Sequence, residues 1–186
     1  MAKKQSRKKK GPKNKKGIQK GGNQELIDMI SNEDNPQEYI IQEVQASLNN
    51  KSIELDKQDK HGRTPLYIAS EKGYANVVQL LVDAGADVNK HDKNENYPLH
   101  IASYLGHTDV MEVLLSVDKI NVNVREKSGT RPIHFAASYG HLGAVEALLK
   151  HPDIDVNRDG DDVHISKKRR SPLYYALNSD YIDIAK

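Results

Sequence analysis

The sequence of 186 residues contains no cysteine, no tryptophan and a single phenylalanine. Without cysteine it has no disulfide framework, no thiolate metal site and no cysteine nucleophile. With almost no large aromatic residues except tyrosine, its core is expected to consist of Leu, Ile, Val, Ala and Tyr, which suits thin layers of stacked helices. No apolar run approaches the roughly 20 residues of a membrane span, and no secretory signal is recognisable. We therefore expect an intracellular location, nuclear or cytoplasmic.

The net charge of +2 conceals two segments of opposite charge. Residues 1–22 contain ten Lys or Arg and no acid, whereas residues 23–186 contain 18 bases and 26 acids, a net charge of −8. The first segment is punctuated by Gly and Pro and has few apolar side chains. It cannot bury enough apolar surface to offset its loss of conformational entropy, so the sequence predicts that residues 1–22 form a disordered basic tail.

The remainder of the chain carries an internal repeat. Each unit begins with a proline, which is followed by an apolar residue, two further residues and an alanine. Successive prolines are 33, 34 and 40 residues apart. A glycine lies eight residues after three of the prolines, a second apolar stretch follows, and three units end in Val-Asn. The repeated positions are Pro65, Pro98, Pro132 and Pro172; Gly73, Gly106 and Gly140; and Asn89, Asn123 and Asn157.

Each unit predicts two short helices. Proline suits the first turn of a helix because its missing N–H would have no partner there. The glycine suits a left-handed helix end, and the second stretch has apolar residues at i, i+3 and i+4. One unit buries too little apolar surface to fold alone, so stacking is required.

These motifs resemble those of the ankyrin repeat, and the resemblance covers residues 59–186. It implies an all-α, ankyrin-type helical repeat solenoid. Helices also fit residues 24–31 and 36–49, as in a degenerate first repeat with a polar outer face. We expect a tail at 1–22, a capping repeat at 23–58, ankyrin-like repeats at 59–91, 92–125 and 126–158, and an incomplete repeat at 159–186.

The sequence departs from the family pattern at several positions. No repeat has both the Thr and the His of the usual Thr-Pro-Leu-His motif, and Glu95 replaces the glycine of one hairpin tip. The last repeat has six inserted residues in its hairpin and ends at Lys186, inside its second helix. Since a helix of six residues is too short to be stable, we expect the chain to be the N-terminal portion of a longer array.

No catalytic pattern accompanies the repeats. Four of the eight histidines recur at fixed repeat positions, and His61 and His91 lie near hairpins in adjacent repeats. The resemblance implies hydrogen-bonding roles for the first four, which are His100, His107, His134 and His141. No phosphate-binding glycine loop, serine-hydrolase elbow or metalloprotease motif is present. We therefore expect no enzyme activity, no cofactor and no metal site.

Binding to another protein remains the best-supported function. The resemblance implies a concave ridge made by the hairpin tips and the first helix of each repeat, where exposed aromatic and aliphatic side chains favour an interface. The partner-binding residues expected there are Arg63, Glu71, Lys72, Asn96, Tyr104, Leu105, Ser138 and Tyr139.

The basic tail supports an alternative function. It could serve as a nuclear address, contact acidic lipid, bind nucleic-acid phosphates or only increase solubility. Because it has no aromatic side chain for base stacking, any nucleic-acid contact would be weak, non-specific and salt-sensitive. The alternative is thus a nucleic-acid-associated nuclear factor. The candidate residues for a nuclear address or phosphate binding are Lys8, Lys9, Lys10, Lys167, Lys168, Arg169 and Arg170.

Overall fold

The structure is a computed structural model that describes residues 24–49 and 53–156. These ranges contain eight α-helices joined by turns and loops, and no strand. The all-α fold expected from the repeat is confirmed. The helices are α1 Gln24–Ser31, α2 Gln37–Leu48, α3 Pro65–Lys72, α4 Ala75–Asp83, α5 Pro98–Leu105, α6 Thr108–Leu115, α7 Pro132–Ser138 and α8 Leu142–Leu149.

The helices form two layers. In the first layer α1 packs on α3, α3 on α5 and α5 on α7, while in the second α2 packs on α4, α4 on α6 and α6 on α8. The two helices of each consecutive pair also contact each other. Four helix pairs therefore stack in chain order, and α1 and α2 lie where the sequence predicted helices in the capping repeat.

The repeated proline and glycine fix the ends of the first-layer helices. Pro65, Pro98 and Pro132 each occupy the first helical position of their helix. Gly73 and Gly106 end α3 and α5 in the left-handed conformation, each with a φ of 72°. An L-residue would be strained there, which explains why these two helices stop at glycine.

The core lies between the two layers and is continuous along the stack. The residue after each proline and the alanine three positions later are fully or almost fully buried, as is one leucine of each facing helix. The alanines allow close approach of neighbouring helices, and each buried leucine or isoleucine contributes about 1.5–3 kcal/mol from removal of apolar surface from water. These residues are Leu66, Leu99, Ile133, Ala69, Ala102, Ala136, Leu81, Leu114 and Leu148.

The recurring Val-Asn pair links each unit to the next. The Asn89 side chain accepts a hydrogen bond from the Asn121 amide at 2.9 Å and donates one to the Lys119 carbonyl at 2.7 Å. Asn123 repeats both bonds with Asp155 (2.9 Å) and Asp153 (2.7 Å). Asparagine supplies an acceptor and a donor on one short side chain, which is what this bridge needs.

A carboxylate stabilises the hairpin loop that precedes each of α3, α5 and α7. Its oxygens accept from the backbone N–H groups two and four residues later, at 2.8–3.0 Å in all three loops. We call these loops hairpin 1 (59–63), hairpin 2 (92–96) and hairpin 3 (126–130). The carboxylates are Asp59, Asp92 and Glu126.

Glu95 shows what replacing the tip glycine requires. It has a φ of 62°, in the left-handed region, where Gly62 and Gly129 have φ values of 83° and 88° in the other two hairpins. The hairpins are also bonded to each other, since the Lys93 amide donates to the His61 carbonyl at 3.1 Å. The hairpin turn is therefore kept in hairpin 2 despite the non-glycine residue.

Two predicted segments lie outside the described residues. One is the basic tail at 1–22, with Lys8, Lys9 and Lys10. The other is the repeat at 159–186, including the inserted cluster of Lys167, Lys168, Arg169 and Arg170. Their predicted disorder, unfinished helix and binding roles stay predictions.

Candidate functional site

An exposed aromatic cluster lies where α5 and α7 end. The Tyr104 ring contacts the rings of Phe135 and Tyr139 edge to face, with centroids 6.0 and 4.5 Å apart. Tyr104 and Leu105 are each 38% exposed and Tyr139 is 48% exposed. We call Tyr104, Leu105, Phe135 and Tyr139 the aromatic patch. It combines residues of two adjacent repeats on one surface.

Hydrogen bonds hold the patch in one arrangement. A bond between the hydroxyl groups of Tyr139 and Tyr104 raises the pKa of Tyr139. His141 stacks on Tyr139 with centroids 6.5 Å apart, and its Nε2 donates to the Tyr104 carbonyl at 3.0 Å. A side chain whose rotamer is fixed before binding loses less entropy on binding, which favours recognition.

The charged residues predicted for the same ridge are engaged within the chain. The Arg63 guanidinium bonds to Asp59 and to Glu71, at 3.0 and 3.3 Å. Lys72 forms an ion pair with Glu33, which lowers the pKa of Glu33. Arg63 and Glu71 therefore belong to one surface ion-pair cluster with Asp59, and Lys72 forms a separate pair, at the other end of the ridge.

Asn96 and Ser138 are half-buried. The Asn96 amide donates to the Asp92 carboxylate at 2.8 Å, and its side chain lies 3.3 Å from the same group. Asn96 therefore closes hairpin 2. Ser138 precedes Tyr139 at the end of α7, beside the aromatic patch. Of the eight predicted residues, the structure brings Tyr104, Leu105, Ser138 and Tyr139 together.

The repeat histidines bond to backbone, as the resemblance implied. The amide of Tyr97 donates to Nδ1 of His100 at 3.2 Å, so the other ring nitrogen carries the proton and donates to the Thr130 carbonyl at 3.0 Å. Burial lowers the pKa of His100 to about 4, which keeps the ring neutral. Nε2 of His107 lies 3.2 Å from the Glu71 carbonyl, which is the link that His141 makes to Tyr104 one repeat later.

Two links between structural elements were missed at the sequence level. Tyr67 replaces the histidine of the first full repeat, and burial together with its bond to Asp92 of hairpin 2 raises its pKa. Arg131 stands where the first full repeat has Thr64, and its buried guanidinium donates to the Asp155 carbonyl at 3.1 Å. Tyr67 and Arg131 are the residues by which these two repeats depart from the Thr-Pro-Leu-His motif, but the sequence gives no indication of the distant partner.

Leu142, at the start of α8, was also missed. It is 41% exposed and follows Tyr139 by three residues. The sequence signal is that Leu142, an apolar residue, occupies the position held by Thr108 in the preceding repeat. It adds an apolar side chain close in the chain to the aromatic patch.

The described ranges contain no group of three His, Asp or Glu side chains arranged to hold a metal ion. Across the same residues, none of the helices has the length and apolar character required to cross a bilayer.

Two comparisons with known proteins bear on this arrangement. A family model described as ankyrin repeats in three copies matches residues 22–126, 85–160 and 119–186. The chain is also 54% identical to Delta-latroinsectotoxin-Lt1a of Latrodectus tredecimguttatus over 41 residues, which are 22% of this chain and 3% of the toxin. Such a short match concerns the repeat and not the activity of the toxin.

Ankyrin repeats are generally protein–protein interaction modules and typically act as non-enzymatic scaffolds. The family matches overlap and together extend from residue 22 to residue 186. They agree with the stacked helix pairs, the glycine-terminated helices and the hairpin loops described above. The chain belongs to the ankyrin-repeat family.

Proposed function

We propose that this chain is a non-enzymatic recognition scaffold that binds another protein along the ridge formed by the ends of α3, α5 and α7, with the aromatic patch at the centre of the interface. The observation that carries the proposal is the exposed edge-to-face pair of Tyr104 and Tyr139. Aromatic side chains supply much of the affinity at protein interfaces when they become fully desolvated. Because the chain has one Phe and no Trp, tyrosine is the main aromatic residue that it can offer to a partner, and this pair is exposed.

The distribution of charged and apolar side chains along the ridge also supports an interface centred on the aromatic patch. The ion pairs of Arg63 and Lys72 lie at the α3 end, whereas the aromatic patch lies at the α5 and α7 ends. Interfaces commonly place aromatic residues in the buried core and charged residues at the rim. We infer that a partner covers the patch and that these ion pairs border it.

The nucleic-acid alternative receives less support from the described residues. They contain 21 Asp or Glu and 11 Lys or Arg, a net charge of −10. A surface of that charge repels phosphate, so nucleic-acid binding would depend on the basic tail. An ankyrin stack that presents aromatic residues is better suited to a protein partner.

Alanine substitution in the patch tests the proposal. Tyr104→Ala and Tyr139→Ala are each expected to weaken partner binding by about 2 kcal/mol, roughly 30-fold, because truncation of a buried interface tyrosine has a cost of this size. The measurement is quantitative affinity capture with the full-length chain, followed by titration of each captured protein. Tyr39→Ala is the matched control, since Tyr39 is 43% exposed but lies on α2 of the second layer.

The expected result is a set of proteins lost from both patch variants and retained by wild type and by the Tyr39 variant. Unfolding in urea is measured for all four proteins, because a general loss of fold would mimic a loss of binding. If partners bind the patch variants as tightly as wild type, the ridge does not contain the interface. Capture that depends only on residues 1–22 and is abolished by nuclease would favour the nucleic-acid alternative.

A further inference from the structure

Hairpin 3 differs from the other two described hairpins at its tip. The residue two positions after the capping carboxylate is His61 in hairpin 1, Asn94 in hairpin 2 and Ser128 in hairpin 3, and all three are exposed. Ser128 therefore places an aliphatic hydroxyl group on the outer edge of the stack. Its neighbour Gly129 has a φ of 88°, which permits the tight turn that carries the serine.

The residues before Ser128 are basic. Arg125 lies three positions before it and is half-buried, while Lys127 lies immediately before it and is exposed. Protein kinases select substrates by the pattern of charges around the acceptor, and one large class requires bases on its N-terminal side. Ser116, at the end of α6, is also exposed, but Val113, Leu114 and Leu115 precede it. The two serines thus differ in their flanking charge and in their setting, since Ser116 lies at a helix end and Ser128 in a hairpin.

The Ser128 hydroxyl belongs to the bonding system of the turn. The Glu126 carboxylate accepts from the Ser128 hydroxyl, from the Ser128 amide at 2.9 Å and from the Thr130 amide at 3.0 Å. Partial burial alone would raise the pKa of Glu126, but these hydrogen bonds outweigh it and lower the pKa. The carboxylate is therefore anionic at neutral pH. It closes the turn together with two backbone bonds, from the Glu126 amide to the Thr130 carbonyl at 3.1 Å and from the Gly129 amide to the Glu126 carbonyl at 2.8 Å.

A phosphate on Ser128 would oppose this arrangement. It carries a charge of about −1.5 to −2 and removes the hydroxyl proton now shared with Glu126. A new ion pair with the exposed Lys127 would be screened by water, whereas repulsion from the adjacent carboxylate acts at hydrogen-bond distance within one turn. Repulsion from Glu126 therefore exceeds the attraction to Lys127.

We propose that Ser128 is a phosphorylation site for a serine kinase that selects N-terminal basic residues, and that its phosphorylation opens hairpin 3. The γ-phosphoryl group of ATP passes to Ser128 Oγ. The new Oγ–P bond forms as the bond between the γ-phosphorus and the β–γ bridging oxygen breaks, ADP leaves, and the hydroxyl proton passes to the general base of the kinase.

Opening of the hairpin affects two contacts with the preceding repeat. The Lys127 amide donates to the Asn94 carbonyl of hairpin 2 at 3.2 Å. The Thr130 carbonyl accepts from His100 of α5 at 3.0 Å. Loss of the Glu126 carboxylate bonds leaves the turn with its two backbone bonds alone and so weakens it. Phosphorylation therefore loosens the coupling between consecutive repeats at their outer edge.

The test treats the full-length chain with ATP and a purified serine kinase that requires arginine three positions before its acceptor. Phosphate is assigned to individual serines by peptide mass spectrometry, with a free peptide of residues 122–134 as the positive control. We expect modification of Ser128, none on Ser116, and at least a tenfold lower rate at Ser128 in Arg125→Gln. The Ser128→Ala variant separates the effect of this site from that of every other serine.

Amide hydrogen exchange then measures the turn. Phosphorylated wild type should exchange the Ser128 and Thr130 amides at least tenfold faster than the unmodified chain, with hairpin 1 unchanged. In Glu126→Gln, which has no negative charge at that position, phosphorylation should cause a much smaller further acceleration. The proposal is overturned if the kinase modifies the free peptide but leaves Ser128 of the chain unmodified. It is equally overturned if the modified chain retains the amide protection of hairpin 3.

Discussion

Gly106 contacts the next repeat, and we expect Gly106→Ala to destabilise the chain both by a clash with that repeat and by backbone strain. Comparison with Gly85→Ala separates the two effects. A Cβ atom added at Gly106 would lie 2.5 Å from Nδ1 and 2.7 Å from Cγ of His141, in the next repeat. Gly106 also has a φ of 72°. Gly85 is the matched position, because it has a φ of 93° but an added Cβ would meet no atom within 4 Å.

The magnitude follows from these distances. A left-handed alanine costs about 1–2 kcal/mol, and the less flexible unfolded chain returns about 0.4–1 kcal/mol, so Gly85→Ala should destabilise by about 1 kcal/mol. At Gly106 the His141 ring must also move. That movement breaks its hydrogen bond to Tyr104, a loss of about 1 kcal/mol, and adds about 1–3 kcal/mol of packing strain. Gly106→Ala should therefore exceed Gly85→Ala by about 2–4 kcal/mol.

The assay is equilibrium unfolding in urea, monitored by far-ultraviolet circular dichroism, for both single variants and for the Gly106→Ala, His141→Ala double variant. Without the imidazole ring, the alanine at 106 should cost only about as much as the alanine at 85. Equal destabilisation by the two glycine substitutions, or no relief in the double variant, would refute the steric argument.

Two further predictions concern buried side chains. Because burial lowers the pKa of His100 to about 4, the unfolded chain binds more protons than the folded chain between that pH and 6.5. The free energy of unfolding should therefore fall as pH decreases through this window, on the order of 3 kcal/mol in total. In His100→Gln the slope of unfolding free energy against pH should flatten. Arg131→Ala should lower the free energy of unfolding in urea by about 2–3 kcal/mol, because the Arg131 side chain is 3% exposed and bonds to Asp155. Arg63→Ala should lower it by less than about 1 kcal/mol, because the Arg63 side chain is 30% exposed. Equal losses for the two arginine variants would contradict this reasoning.

The aromatic patch shows how far the sequence predicts the site. The repeat register places Tyr104 and Leu105 at the end of one first-layer helix and Tyr139 at the end of the next, so their exposure followed from alignment of the units. The register cannot indicate that Arg63, Glu71 and Lys72 are engaged in ion pairs, the first two within one repeat and Lys72 with Glu33 of the preceding repeat. Side-chain partners depend on rotamers and distances that no periodicity specifies.

The sequence by itself determined the repeat, the helices and their ends. These features depend on local physics: proline lacks an N–H, glycine tolerates a positive φ, and apolar spacing selects a buried face. Only the tertiary structure decided which groups meet between repeats, as with Tyr67 and Asp92, Arg131 and Asp155, and Tyr104 and Tyr139. Each of these pairs joins residues more than 20 positions apart, and their contact arises only when stacking brings neighbouring units together.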